Sequence, residues 1–299
     1  MSAAPPTLER FLSGPWLVES ARRLRSRRRS RAPSGFSWLD VDPTAFAART
    51  RSLLEQGAWI HVPPRRVQIP KNRGAAREIA VFKPEEQALH GALAACLGLW
   101  LESVLTDSAW AFRPGRSARG ARGAAARAIR KGARFVADGD IRSCFDTIPR
   151  SRMLTELQEL GLSDQGLRDL LDRATRAGVL FGSRGSSLGL AQGSPLSPVL
   201  CNAWLHRLDE AMRSEAESRG WSWLRYADDA ACLCPDAAEV EVAMTRLEEA
   251  VRERGQALHG LKSGVRAVEG WDWLGATWRD GRWESPTRKS KPSWARRKR

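Results

Sequence analysis

Asp140, Asp228 and Asp229 sit among residues that a folded chain normally keeps apolar. In Val136-Ala137-Asp138-Gly139-Asp140-Ile141 a strand-like apolar run meets an acidic end. In Leu224-Arg225-Tyr226-Ala227-Asp228-Asp229-Ala230-Ala231-Cys232-Leu233 two adjacent aspartates interrupt an otherwise apolar hairpin. Carboxylates flanked in this way are costly to bury unless something neutralises them, and a divalent ion is the usual answer. Phosphoryl transfer at a growing chain end uses two such ions, roughly 3.5–4 Å apart. One acidifies the attacking 3′-hydroxyl and the other holds the leaving pyrophosphate. A strand-end Asp and a turn Asp from a neighbouring hairpin can supply that clamp. The same residues also read as a polar hairpin turn (Asp228-Asp229) and a helix cap (Asp140), and neither segment alone decides between the readings.

The elements that must position these acids are legible in outline. Residues 134–137 have strand composition. Residues 221–226 and 230–234 are apolar runs on either side of the acidic turn, which predicts a hairpin. Residues 66–70 and 78–82 predict a second hairpin with a basic tip, Lys71-Asn72-Arg73-Gly74. Helices are expected over 42–56 with Asp42 as cap, 85–103, 150–159, 164–177, 198–213 and 238–254. Within 198–213, Leu200, Trp204, Leu205 and Leu208 form one stripe. Strands mixed with helices in this irregular order predict an α+β fold, not a doubly wound sheet.

Six strings in order carry a more specific message. Gly139-Asp140-Ile141-Arg142-Ser143-Cys144-Phe145-Asp146-Thr147-Ile148 and Tyr226-Ala227-Asp228-Asp229 resemble the two metal-binding motifs of reverse transcriptases. Gln192-Gly193-Ser194-Pro195-Leu196-Ser197-Pro198-Val199-Leu200-Cys201-Asn202 resembles that family's loop and helix at the nascent base pair. Ile69-Pro70-Lys71 with Arg77, and Phe112-Arg113-Pro114-Gly115-Arg116-Ser117, resemble fingers motifs of the bacterial group II intron type. Leu261-Lys262-Ser263 and Trp273-Leu274-Gly275 are similar to the motifs that close the palm.

The resemblance implies a right-hand polymerase with palm and fingers, copying an RNA template by adding dNTPs to a DNA or RNA primer with Mg²⁺ or Mn²⁺. Asp140 and Asp228 are then expected to bridge both ions, with Asp229 in support and the carbonyl of Ile141 completing the nucleotide-side metal. Lys71 and Arg77 fall on the basic hairpin that closes over the triphosphate. Phe145, five residues beyond Asp140, occupies the steric-gate position that excludes a ribose 2′-hydroxyl; it also reads as a core aromatic. Gln192 and Gly193 are expected beneath the templating pair, where a glycine allows close backbone approach. Lys262 reads as a proton donor to pyrophosphate or as a surface lysine. Arg113 and Arg116 read as braces for template phosphates or as partners of acids. One departure from the pattern is Ala191, where the family's loop has proline.

Charge adds a partner class. The chain has 299 residues and a net charge of +15. Residues 22–31 and 288–299 each hold seven basic residues and no acid, so these arms carry 14 of that +15. Dense basic blocks around a near-neutral body favour a polyanion partner, with solvated tails as the plain alternative. The expected division is a basic arm over 1–34, fingers over 35–130, palm over 131–278 and a basic tail over 279–299. Residues 277–299 are polar and Pro-interrupted, so the thumb is expected to be absent or vestigial, its grip supplied by the arms, by a protein partner or by a homo-oligomer. The longest apolar run, 92–101, is too short to span a bilayer, so no membrane partner is expected. Five scattered cysteines fit reduced thiols, and the N-terminus lacks a secretory pattern, which together predict a cytoplasmic protein. Two other functions fit the chain: a related polymerase making RNA or untemplated DNA, against which Phe145 speaks, and a non-catalytic RNA-binding module, against which the acidic set speaks. Phage defence, CRISPR-linked spacer capture and a compact retroelement are all settings for such an enzyme.

Overall fold

The computed structural model describes residues 4–29, 42–70, 76–179 and 187–285. It begins with helices α1 (Leu8–Ser13), α2 (Trp16–Arg29) and α3 (Pro43–Glu55), followed by the hairpin β1 (Arg65–Pro70) and β2 (Ala76–Val81). Helices α4 (Pro84–Leu101) and α5 (Ala118–Arg130) lead into strand β3 (Phe135–Asp140). Helices α6 (Cys144–Thr147), α7 (Arg150–Glu159), α8 (Gln165–Val179) and α9 (Ser197–Arg219) come next, before the hairpin β4 (Ser222–Tyr226) and β5 (Asp229–Cys234). Helix α10 (Ala237–Glu253) is followed by strands β6 (Gly264–Ala267), β7 (Asp272–Trp273), β8 (Ala276–Arg279) and β9 (Arg282–Glu284). This is an α+β chain. Among the described residues, no helix is long and apolar enough to cross a membrane.

The chain forms two compact units, and both are discontinuous. One comprises Met1–Leu105 with Ser143–His206, the other Thr106–Arg142 with Arg207–Arg299. A sequence division at residue 130 does not anticipate this interleaving. In the first unit α4 is the spine, with Leu89, Leu93 and Leu97 fully buried, and α2 packs on both α3 and α4. The segment expected as a basic arm thus starts as two helices with Phe11 and Leu17 fully buried, because apolar residues punctuate it before the arginines dominate. Residues 30–41 and 286–299, which hold the rest of the basic blocks apart from the helical arginines, lie outside the described residues.

The second unit holds a four-stranded antiparallel sheet in the order β4-β5-β3-β6. Helix α10 packs on β3, β5 and β6, while α5 packs on β4 and β5. Side chains alternate along a strand, so Val136, Asp138 and Asp140 share one face of β3. Val136 belongs to the cluster that includes Ala121, Ala125 and Ile129 of α5, which identifies that face. The unit also holds a three-stranded sheet, β7-β8-β9, in which ring contacts run from Trp273 through Trp271, just before β7, and Trp283 to Trp278. Trp283 Nε1 ties that sheet to α5 by donating to the carbonyl of Arg122 at 2.7 Å. Of these short strands, β9 and the last residue of β8 fall in the stretch 279–299 expected as a basic tail, while β7 lies within the expected palm.

A buried ion pair fixes the β4–β5 hairpin to α9. Arg225 Nε and Nη2 donate to Asp209 Oδ1 and Oδ2 at 2.8 and 2.6 Å, and both side chains are fully buried. Trp223 Nε1 donates to the same carboxylate at 3.0 Å. Arg225 Nη1 donates to the carbonyl of Ala227 at 2.9 Å, so the guanidinium braces the turn itself. Removing one partner of such a pair leaves an uncompensated buried charge, which costs about 3–5 kcal/mol. Asp209→Asn should therefore lower the unfolding free energy by about that amount in urea titrations, and the double variant Asp209→Leu/Arg225→Met should recover most of it.

Candidate active site

The acids are gathered by strand register. β3 runs antiparallel to β5 with Asp140 opposite Asp229, Asp138 opposite Ala231 and Val136 opposite Leu233. Residues directly opposite one another project from the same face with their Cβ atoms roughly 4.5–5.5 Å apart, so Asp138, Asp140 and Asp229 share the α5 side of the sheet. β4 pairs with β5 so that Tyr226 faces Asp229, leaving a two-residue turn, Ala227-Asp228. Ala227 takes a positive φ of 57°, a conformation that costs a residue with a Cβ roughly 1–2 kcal/mol. The backbone N–H of Ile141 donates to the carbonyl of Asp228 at 3.0 Å, which holds that turn against the end of β3. Asp140, Ile141, Asp228 and Asp229 thus come together at one end of one sheet.

Their charges are poorly compensated by the chain alone. Burial pushes the Asp229 carboxyl up to about 7, and the neighbouring Asp228, Asp140 and Asp138 push it the same way. Asp138 is also raised, chiefly by burial, although Arg266 Nε lies 3.0 Å from its Oδ2 and pulls it down. Lys262 Nζ sits 2.8 Å from Asp140 Oδ2 on a side chain that is 57 % exposed. The main chain of Asp140 is pinned on both sides: its N–H donates to Ser263 Oγ at 3.0 Å, and its carbonyl accepts from His259 N at 2.8 Å. A half-buried group of hard oxygen donors with excess negative charge suits a hard divalent cation such as Mg²⁺ or Mn²⁺. The residues present fit that group.

Lys71, Arg77, Phe145, Gln192 and Gly193 belong to the first unit. Lys71 lies outside the described residues. Arg77 is exposed on β2, opposite Ile69 of β1. Phe145 is half-buried in α6, with its carbonyl accepting from Leu190 N at 2.7 Å. The carbonyl of Gln192 accepts from Ala80 N of β2 at 2.7 Å. Gly193 has φ +116°, and a Cβ added there would run into the carbonyl oxygen of Ala80. Within the chain, then, the close approach at Gly193 is made to β2. Next to it, Ser194 Oγ bonds His90 Nδ1 at 2.9 Å and accepts from Leu196 N at 3.1 Å.

For Arg113 and Arg116 the sequence leaves phosphate contacts and pairing with acids open, and within the chain Arg116 has an acid for partner while Arg113 has carbonyls. Arg113 is only 7 % exposed and donates to the carbonyls of Thr106 and Ala109. Arg116 pairs with Asp107 and lies over the Trp110 ring, its carbon 5.2 Å from the centroid. Both brace the loop before α5, because a guanidinium can satisfy several turn carbonyls at once. Sequence reasoning also missed Asp138, Arg266 and the Asp209–Arg225 pair. Asp138 carried a usable signal, since it lies two residues before Asp140 and so on the same face of a strand.

Comparison with known proteins agrees with this geometry. The family described as reverse transcriptase (RNA-dependent DNA polymerase) matches residues 69–278. An uncharacterised 91 kDa protein in the cob intron of Schizosaccharomyces pombe is 33% identical over 166 residues, 53% of this chain and 20% of that protein. The group II intron-encoded protein LtrA of Lactococcus lactis is 31% identical over 163 residues, 52% of this chain and 26% of that protein. The chain therefore spans about a fifth to a quarter of the length of these two relatives. Among solved structures, telomerase from Candida tropicalis in complex with a fragment of telomeric RNA aligns over 84% of this chain and 50% of its own, with TM-score 0.58 and 11% identity. At that identity the likeness concerns the fold.

The contact at Gly193 makes a direct prediction. Gly193→Ala adds a methyl group to a left-handed backbone and drives it into a carbonyl of β2, so the loop over 191–196 must leave its seat or β2 must yield. A loss of about 2–4 kcal/mol is expected in chemical denaturation. Amide exchange of Ala80, whose N–H is held by Gln192, should accelerate in parallel.

Proposed function

Because the chain belongs to the reverse transcriptase family and matches group II intron-encoded proteins, we propose that it is an RNA-directed DNA polymerase, a nucleotidyltransferase adding dNTPs to a DNA or RNA primer on an RNA template. The observation that carries this reading is the register that sets Asp140 opposite Asp229, with Asp228 in the adjoining turn. The family generally works with divalent metal ions, and for this chain we take them to be Mg²⁺ or Mn²⁺. When bound, such a pair lowers the pKa of the attacking 3′-hydroxyl and neutralises the leaving pyrophosphate.

The chain's own residues divide the remaining work. Asp140 and Asp228 would hold the ions, with Asp229 in support and the Ile141 carbonyl as a further oxygen donor. Lys262 pairs with Asp140, and its ammonium is the group that would pass a proton to pyrophosphate. Lys71 and Arg77 neutralise charge on the triphosphate, which grows as the leaving group departs. Phe145 acts by clash, excluding a 2′-hydroxyl and so selecting deoxynucleotides. Gln192 and Gly193 support the base pair being formed.

Primer extension on an RNA template tests the reading. Wild-type chain should extend with dNTPs in Mg²⁺ and stop in EDTA. Asp228→Asn should lower the rate by about a hundredfold or more with folding and RNA affinity retained, as expected when a charge-stabilising group is removed from a reaction centre. Activity near wild type in that variant overturns the metal assignment.

Sugar selection is read separately. Phe145→Ala should raise rNTP use relative to dNTP use at least tenfold, about 1.4 kcal/mol of discrimination. An unchanged ratio would make Phe145 a packing residue.

A further inference from the structure

Away from the aspartates, the first unit holds a second group of metal-competent side chains. His61 lies in the segment before β1, and Glu86 and His90 lie one turn apart on α4. One ligand atom from each of the three lies within 4.8 Å of the other two. Glu86 Oε2 is 3.1 Å from His61 Nδ1 and 3.5 Å from His90 Nε2. Four ligands about 2.0–2.1 Å from a central zinc ion are separated by about 3.3–3.4 Å along the edges of the tetrahedron, so these spacings suit a shared ion.

Burial sharpens the case. The side chains of Glu86 and His90 are each 2 % exposed and that of His61 is 8 % exposed. A buried carboxylate needs a cation or a set of donors, and around Glu86 these are one backbone N–H and the two imidazoles, His61 Nδ1 being in hydrogen-bond contact. Its Oε1 accepts from Val62 N at 3.1 Å, and its Oε2 faces the two imidazoles. His90 Nδ1 is committed to Ser194 Oγ at 2.9 Å, which leaves Nε2 to face the carboxylate, and that nitrogen has no hydrogen-bond partner. A serine hydroxyl on the far ring nitrogen is the arrangement that orients a metal-binding imidazole.

We propose that His61, Glu86 and His90 form a structural site for a divalent transition-metal ion of the zinc class, separate in chemistry from the all-oxygen aspartate site. Two nitrogens and one carboxylate oxygen favour such an ion over Mg²⁺. The ion ties the segment at 59–62 to α4, and through His90 and Ser194 it fixes the loop that carries Gln192 and Gly193. The signal in the sequence is Glu86-x-x-x-His90, one turn apart on a helix, which points nowhere until the fold brings in His61.

The test uses the full chain, stripped with chelator and returned to buffer with excess Mg²⁺, which occupies the aspartate site. Zn²⁺ is titrated in competition with a chromogenic chelator, and Co²⁺ in parallel, read by its visible d–d absorption. One ion per chain is expected, with affinity in the micromolar range or tighter and a rise in Tm on binding. His61→Ala, at the least buried ligand, and Glu86→Gln should each weaken binding by about 10–100-fold and change the cobalt spectrum. Asp228→Asn should change neither. Failure of the wild-type chain to bind a stoichiometric ion overturns the proposal, as does binding that persists in both ligand variants or disappears in Asp228→Asn. The wild-type titration decides even if a variant fails to fold.

Discussion

Carboxylates repel, and the antiparallel register of β3 against β5 gives Asp140 and Asp229 no way to part. Backbone hydrogen bonds along the ladder hold the two strands whatever their side chains carry, so the electrostatic cost accumulates on the side chains. Asp229 bears it, with a carboxyl raised to about 7 by burial and by its acidic neighbours. Lys262 and Arg266 offset part of it at Asp140 and Asp138. The two are not equivalent. Arg266, in the middle of β6, also donates to the Lys262 carbonyl at 2.8 Å and is thereby tied to the turn that leads into its strand. Lys262 holds Asp140 by one flexible, half-exposed stem, which makes it a counter-ion that can leave.

The turn that presents Asp228 is held from behind. Ala227 occupies a left-handed conformation that glycine would take at less cost, and such a residue persists where its surroundings over-determine it. Here the surroundings are Arg225 on the Ala227 carbonyl and Ile141 N–H on the Asp228 carbonyl. Arg225 can spend its guanidinium on a turn because Asp209 and α9 neutralise it in the interior. A chain of hydrogen bonds therefore runs from a helix core through a buried ion pair to the position of one catalytic candidate. Each link is charged or strained and would be unfavourable alone.

What could be read from the sequence divides along physical lines. Elements whose apolar residues follow a local pattern were legible, as in the stripe of α9 and the apolar runs of the β4–β5 hairpin, because local spacing reports burial. The acids at 140, 228 and 229 were legible because they break such patterns. Asp209–Arg225 was not, since the partners lie 16 residues apart on different elements and each reads locally as an ordinary polar position. Arg113 and Arg116 read equally as phosphate braces or as partners of acids, because their partners, the Thr106 carbonyl and Asp107, lie seven and nine residues away across a loop with no periodic pattern. Strands β7 to β9 are two to four residues long and set among charges, too brief for an alternating pattern to emerge. Their tryptophans were the available sign of burial.

The pairing of β3 with β5 also bears on how this chain can change over evolutionary time. Side chains along a strand alternate with a period of two, so loss or gain of one residue within β5 would turn Asp229 to the α10 side and bring Ala230 to the α5 side. Gly139 already faces α10, where Leu247 Cδ2 leaves no room even for a methyl group. The strand pair can thus accept many single substitutions but almost no length variation within β3 or β5. Drift in this region should appear as changes of residue type at constant spacing.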